Sequence, residues 1–134
     1  MKIFRISPDQ IAQRWAGIAP FIEDSLAYSG GDFTIDQVRL YLSSGQWLTL
    51  GVFDDQKMLG VVCTQFTNMP NDRVAFITAI GGKNITNSDT FQQFQAILKA
   101  HGATKIQGGV RESVARLWRR LGFSQRYILV EQKL

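Results

Sequence analysis

Gly108-Gly109-Val110-Arg111-Glu112-Ser113-Val114-Ala115-Arg116-Leu117-Trp118-Arg119-Arg120-Leu121-Gly122-Phe123 is the stretch whose reading decides the fold. It reads as the end of a strand, a short amphipathic helix, and a glycine stop followed by an aromatic. Val114, Leu117, Trp118 and Leu121 recur at i, i+3, i+4 and i+7, which makes one helical stripe; Arg116, Arg119 and Arg120 fall outside it. Gly122 stands where a helix end wants a left-handed residue, and Phe123 can fold back on the stripe.

Working outward, Lys2 to Ile6 reads as a first strand. Ser7-Pro8-Asp9-Gln10 reads as a capped helix start with proline at its first position. Ile11, Trp15, Ile18, Ile22 and Leu26 give a helical stripe, which Pro20 should kink or split. Gly30-Gly31 marks a loop. Thr34-Ile35-Asp36-Gln37 is a second capping pattern, with Val38, Tyr41 and Leu42 behind it and Gly45 as the stop. Three strands then follow across short turns, at 47–53, Leu59 to Phe66, and Val74 to Ile80. After Gly81-Gly82 and a polar loop, Ser88 or Asp89 should cap a helix reaching His101, with Phe91, Phe94, Ile97 and Leu98 inward. A strand at 104–107, the opening helix, and a final strand from Tyr127 to Val130 complete the chain.

The order is β-α-α-β-β-β-α-β-α-β in a single domain over 1–134. The three consecutive strands suggest an antiparallel meander. The helix between 74–80 and 104–107 makes those two strands parallel neighbours. The expected fold is therefore α/β (α+β), a mixed central sheet with helices on both faces.

Composition narrows the chemistry. Hydrophobic content of 45% with 19% charged residues is that of a globular domain with its own core. No apolar run approaches a membrane span, and the start lacks a signal-peptide layout, so a cytoplasmic protein with no membrane partner is expected. One cysteine, Cys63, precludes an internal disulfide, and one histidine, His101, precludes a multi-histidine metal site; no metal is expected. Cys63 reads as buried packing and His101 as a helix end. Charge is uneven: residues 1–98 carry seven Lys/Arg against nine Asp/Glu, while residues 99–134 carry eight against two. A basic C-terminal third suits an anion, whether a phosphate-bearing cofactor, an acidic protein or a nucleic acid, or is simply a solvated face. The nucleic-acid reading, on Arg111, Arg116, Arg119, Arg120 and Arg126, ranks lowest because few aromatics interleave with the cluster.

The run Leu117-Trp118-Arg119-Arg120-Leu121-Gly122-Phe123, together with this element order, resembles the GNAT superfamily of acyl-CoA N-acyltransferases, and the compact phage and prophage members in particular. The superfamily's last conserved segment reads Asn-x-x-Ala-x-x-Leu-Tyr-x-x-x-Gly-Phe. The resemblance implies acetyl-CoA as co-substrate, lying in a gap between the two parallel strands, and an amine acceptor, small molecule or protein. It implies cofactor contacts at Ala79, Ile80, Gly81, Gly82, Lys83, Asn84, Thr86, Glu112 and Arg116. Backbone N–H groups of Ala79 to Gly81 would face the acyl group, and the loop opening the next helix would face the pyrophosphate. There the sequence departs from the superfamily's glycine spacing, and Asp89 opposes an anion.

The catalytic positions depart too. Trp118 stands where the superfamily has the tyrosine that protonates the leaving thiolate, and an indole N–H is no acid. Glu112 is matched to the Asn, and the strand at 74–80 carries no acidic residue. Tyr127 is the expected substitute acid, with Tyr28, Asp32 and Glu23 near one acceptor wall. The alternative implied is a GNAT-like interaction protein, weak or inactive as an enzyme, with a phage structural or host partner. A homodimer through the final strand is a further expectation.

Overall fold

The computed structural model describes residues 1–83 and 85–134. Five strands, β1 (Lys2–Arg5), β2 (Leu48–Asp54), β3 (Lys57–Asn68), β4 (Arg73–Gly82) and β5 (Lys105–Gly108), form one sheet in the order β1-β2-β3-β4-β5. The first four are antiparallel neighbours and β4–β5 is parallel, as the crossover helix requires. The helices are α1 (Ile11–Leu26), α2 (Ile35–Ser43), α3 (Ser88–Ala100) and α4 (Glu112–Arg119).

The sheet carries a core on each face. Ile11, Ile18 and Ile22 of α1, with Val38 and Leu42 of α2, pack on Val61, Cys63 and Ala79. On the other face Phe91, Phe94 and Leu98 of α3, with Trp118 of α4, pack on Leu50, Val62, Ala75 and Ile77. β2 lies between both layers and is buried from Leu48 to Phe53, which is why it shows no polar alternation. α3 reaches across to β1, where Gln93 accepts from the Ile3 N–H at 3.0 Å and donates to the Met1 carbonyl at 3.0 Å. At the other end Arg73 ties the β3–β4 turn to α3, donating to the His101 carbonyl at 2.9 Å and stacking on Phe66. Hydrogen bonds from Lys105 and Thr104 to Asp72 fix the start of β5 there and hold the Asp72 carboxyl below the usual range.

Local signals account for most ends. Thr34 and Gln37 form the expected capping box, at 3.3 and 2.9 Å. Gly45, Gly102 and Gly122 adopt the positive φ that closes a helix.

Other expectations are corrected. Ser7 does not cap α1; its hydroxyl donates to Asp9, and Pro8–Gln10 form a separate 3-10 turn. Pro20 does not split α1, because Pro20 and Ala16, whose carbonyl loses its N–H partner, both lie on the solvent face where water can bond that carbonyl. Asn87, not Ser88 or Asp89, caps α3, accepting from the Asp89 N–H at 3.0 Å.

The expected final strand is absent. Tyr127, Ile128, Leu129 and Val130 are 68–86% exposed and carry no strand pairing. Strand propensity needs a neighbour to pair with, and these residues find none among the described residues. Leu117 is also exposed, at 41%, while Trp118 is 5% exposed. The buried face of α4 is centred on Val114, Ala115 and Trp118, which turns Leu117 away from the sheet.

Candidate functional site

The two parallel strands stay together only briefly. Their register runs from Val74↔Lys105 to Ile77↔Gly108; β5 then ends, and β4 continues from Thr78 to Gly82 without it. At this point β4 also bulges against β3: Thr64 pairs with Ile77 and Cys63 with Ala79, leaving Thr78 unopposed. Bulges of this kind re-aim backbone and side chains and are common beside active sites. Among the described residues the Thr78 hydroxyl is buried without a hydrogen-bond partner, as are those of Thr64 on β3 and Thr90 in the first turn of α3. A buried hydroxyl without a partner is costly and demands a reason. Nothing in the helical and strand periodicity singles Thr78 out; the only sequence signal is a lone hydroxyl in the apolar run Val74 to Ile80.

Beyond the bulge, the last turn of α1 closes on β4. Ser25 Oγ accepts from the Ile80 N–H at 3.1 Å. In an antiparallel ladder alternate residues bond the partner strand, so the Ala79 and Gly81 donors face β3 when that of Ile80 is turned away. Gly81 permits the approach: a Cβ there would stand 2.1 Å from the Phe21 carbonyl oxygen. Ala79 is buried in the α1/α2 core and Ile80 is half-buried on the opposite face.

The loop that follows leaves the sheet sharply. Gly82 has φ +98°, and a Cβ there would lie 2.3 Å from the Leu59 carbonyl oxygen. The Lys83 N–H donates to that same carbonyl at 3.0 Å, and the Lys83 side chain is exposed. Thr86 is half-buried. Asn84 lies outside the described residues. The first turn of α3 offers the donors of a helix N-terminus, one of which Asn87 uses, beside the exposed Asp89.

On the β5 side, Trp118 lies against Gly108, where a Cβ would come within 2.8 Å of its ring, and its centroid is 4.9 Å from that of Phe123. Trp118, Glu112 and Tyr127 line one groove of about 470 Å³ with Phe76 and Gly108. Arg116 is exposed and does not line it, and neither do Ala79 to Lys83. The sequence-derived site residues thus fall into two groups on either side of the strand parting. Glu112 is 3.8 Å from Arg119. Counted back from Gly122-Phe123, the superfamily's Asn position falls on Arg111 rather than Glu112.

One contact joins the two sides. The Arg111 guanidinium sits 3.7 Å from the Tyr28 ring centroid. Tyr28 belongs to the turn closing α1, its N–H donating to the Ser25 carbonyl at 3.1 Å, while Arg111 is the residue before α4, with Gly109 and Val110 between it and the end of β5. Sequence spacing could not pair residues so far apart in the chain.

Cys63 and His101 keep structural roles. The Cys63 thiol is fully buried, and burial pushes its pKa up to about 12. A thiol held protonated neither attacks nor is modified. Native protein at pH 8 is expected to resist Ellman's reagent and to react fully in denaturant; rapid labelling of the native form would contradict this burial. His101 caps α3, with its Nδ1 2.9 Å from the Ile97 carbonyl and its ring stacked on Phe66.

No protein-family model matches the sequence, and no curated protein matches it. The structure, by contrast, has many likenesses. A probable acetyltransferase matches with TM-score 0.71 at 13% identity, over 100% of this chain and 97% of that one. A predicted acetyltransferase from Clostridium acetobutylicum, solved with acetyl-CoA, matches at 0.69 and 12%, over 98% and 94%. An aminoglycoside acetyltransferase from an uncultured soil metagenomic sample, solved with sisomicin, matches at 0.70 and 8%, over 98% and 95%. The chain has the GNAT fold, matched over nearly its whole length.

Proposed function

We propose that this protein transfers an acetyl group from acetyl-CoA to an amine. The observation that carries the reading is the parting of β4 from β5 at a bulge, with the buried Thr78 hydroxyl left there without a partner among the described residues. When bound, acetyl-CoA supplies an acyl group already activated as a thioester. The residues around the parting supply position and hydrogen bonds. The Ile80 N–H is the donor turned from β3, and Ser25, whose hydroxyl now accepts it, can rotate to release it. A fixed backbone donor of this kind favours a carbonyl oxygen that gains negative charge. Thr78 offers a second hydroxyl two residues back along β4. Gly82, Lys83 and Thr86 and the first turn of α3 would hold the phosphates. Trp118 serves as a packed wall rather than an acid, and Tyr127, on the same groove, is the phenol available for proton transfer.

Calorimetric titration with acetyl-CoA tests this. Binding is expected, weakened by Lys83→Glu and tightened a few-fold by Asp89→Asn, which removes a negative charge from the helix N-terminus. Absence of binding, or affinity indifferent to both changes, would overturn the cofactor assignment and favour an interaction protein on the same scaffold.

A further inference from the structure

Arg111, just past the end of β5, meets Tyr28, in the turn that closes α1. On one side α1 is anchored to β4 through Ser25 and Ile80, and Tyr28 lies in the turn just beyond. On the other, Gly109 and Val110 alone separate Arg111 from the end of β5. The guanidinium carbon lies over the tyrosine ring, a cation–π contact that holds the side chain in place. The ion pairs among the described residues join Lys105 to Asp72 and Arg119 to Glu112, so Arg111 has no carboxylate partner there. Its acidic neighbour Glu112 is drawn to Arg119 instead. After Tyr28, Gly30 and Gly31 take positive φ, and a Cβ at either would meet no described atom within 4 Å. A planar guanidinium held by an aromatic ring, with no carboxylate partner among the described residues, matches a carboxylate in geometry as well as charge.

We propose that Arg111, held by Tyr28, binds a carboxylate on the amine acceptor, so that the protein selects amino acids or peptide ends over simple amines. This rests on the acetyl-transfer reading. The competing source of the same chemistry is a phosphate of CoA.

The test compares matched acceptors that differ only in the carboxylate: lysine with cadaverine, ornithine with putrescine, tryptophan with tryptamine. In wild-type protein the carboxylated member of a pair is expected to have the higher kcat/KM, roughly 10- to 100-fold, mostly through KM. Arg111→Ala should erase that preference, and Arg111→Lys should restore part of it through charge without the fork. In parallel, NMR titration of wild-type and Arg111→Ala protein with N-acetyl-lysine and N-acetylcadaverine reads carboxylate binding without turnover. Equal rates and equal binding for both members would overturn the proposal. So would a preference that survives Arg111→Ala, or an equal loss on both members, which marks a merely structural contact. Weakened acetyl-CoA binding in Arg111→Ala with the acceptor preference intact would assign the residue to CoA instead. Failure of wild-type protein to bind acetyl-CoA would sink the acetyl-transfer reading, while the N-acetyl titrations still decide the carboxylate site.

Discussion

Replacing Gly81 with alanine is expected to destabilise the protein by about 3 kcal/mol or more, the upper end of overpacking costs. The added Cβ would stand 2.1 Å from the Phe21 carbonyl oxygen, 2.8 Å from its carbon and 3.1 Å from its Cα. All three atoms are backbone, so no side chain can swing aside, and α1 must lift from β4. That movement also pulls Ser25 from the Ile80 N–H, so acetyl-CoA affinity should change along with stability. Gly109→Ala is the control: nothing lies within 4 Å of its Cβ, and its effect should stay within about 0.5 kcal/mol. Urea denaturation followed by tryptophan fluorescence measures both. A Gly81→Ala midpoint equal to wild type would mean that α1 and β4 are not in backbone contact.

Trp118→Ala is expected to cost about 3–5 kcal/mol, the range for emptying a large aromatic from a core. The ring lies on Gly108 and beside Phe123, so its removal opens a space that neither neighbour can fill without moving the β5–α4 connection. Leu117→Ala, one residue away, should cost less than about 1 kcal/mol because the side chain is already 41% exposed. The pair separates the two readings of α4 by denaturant midpoint. Similar losses at both positions would place Leu117 in the core after all and rotate the helix from the orientation described.

The reach of the sequence can be traced through these elements. α2 was legible to the residue, because Thr34 and Gln37 satisfy each other's backbone locally and need nothing from the rest of the chain. The parallel pairing of β4 and β5 followed from the length of the crossover between them. Leu117 was misread because a four-residue stripe defines a helical face only to within a neighbouring position. Tyr127 to Val130 have the composition of a strand, but a strand is a property of a pair, and no partner stands beside them among the described residues.

The candidate site was less legible than the fold. The GNAT-like segment, contiguous in the chain, directs attention to the ends of β4 and β5, where the strands part. It gave no hint of Thr78, of Ser25 on Ile80, or of Arg111 on Tyr28, each of which depends on register or on contacts between distant segments.

The sequence by itself determined the element order, the two helix-bearing faces and the parallel crossover, because periodicity, caps and connection lengths act over a few residues. Only the tertiary structure decided where β4 bulges, which backbone N–H Ser25 occupies, and which aromatic steadies Arg111. Those follow from how α1, β4 and the β5–α4 turn are brought within contact of one another, and close packing fixes that only once the whole sheet has formed.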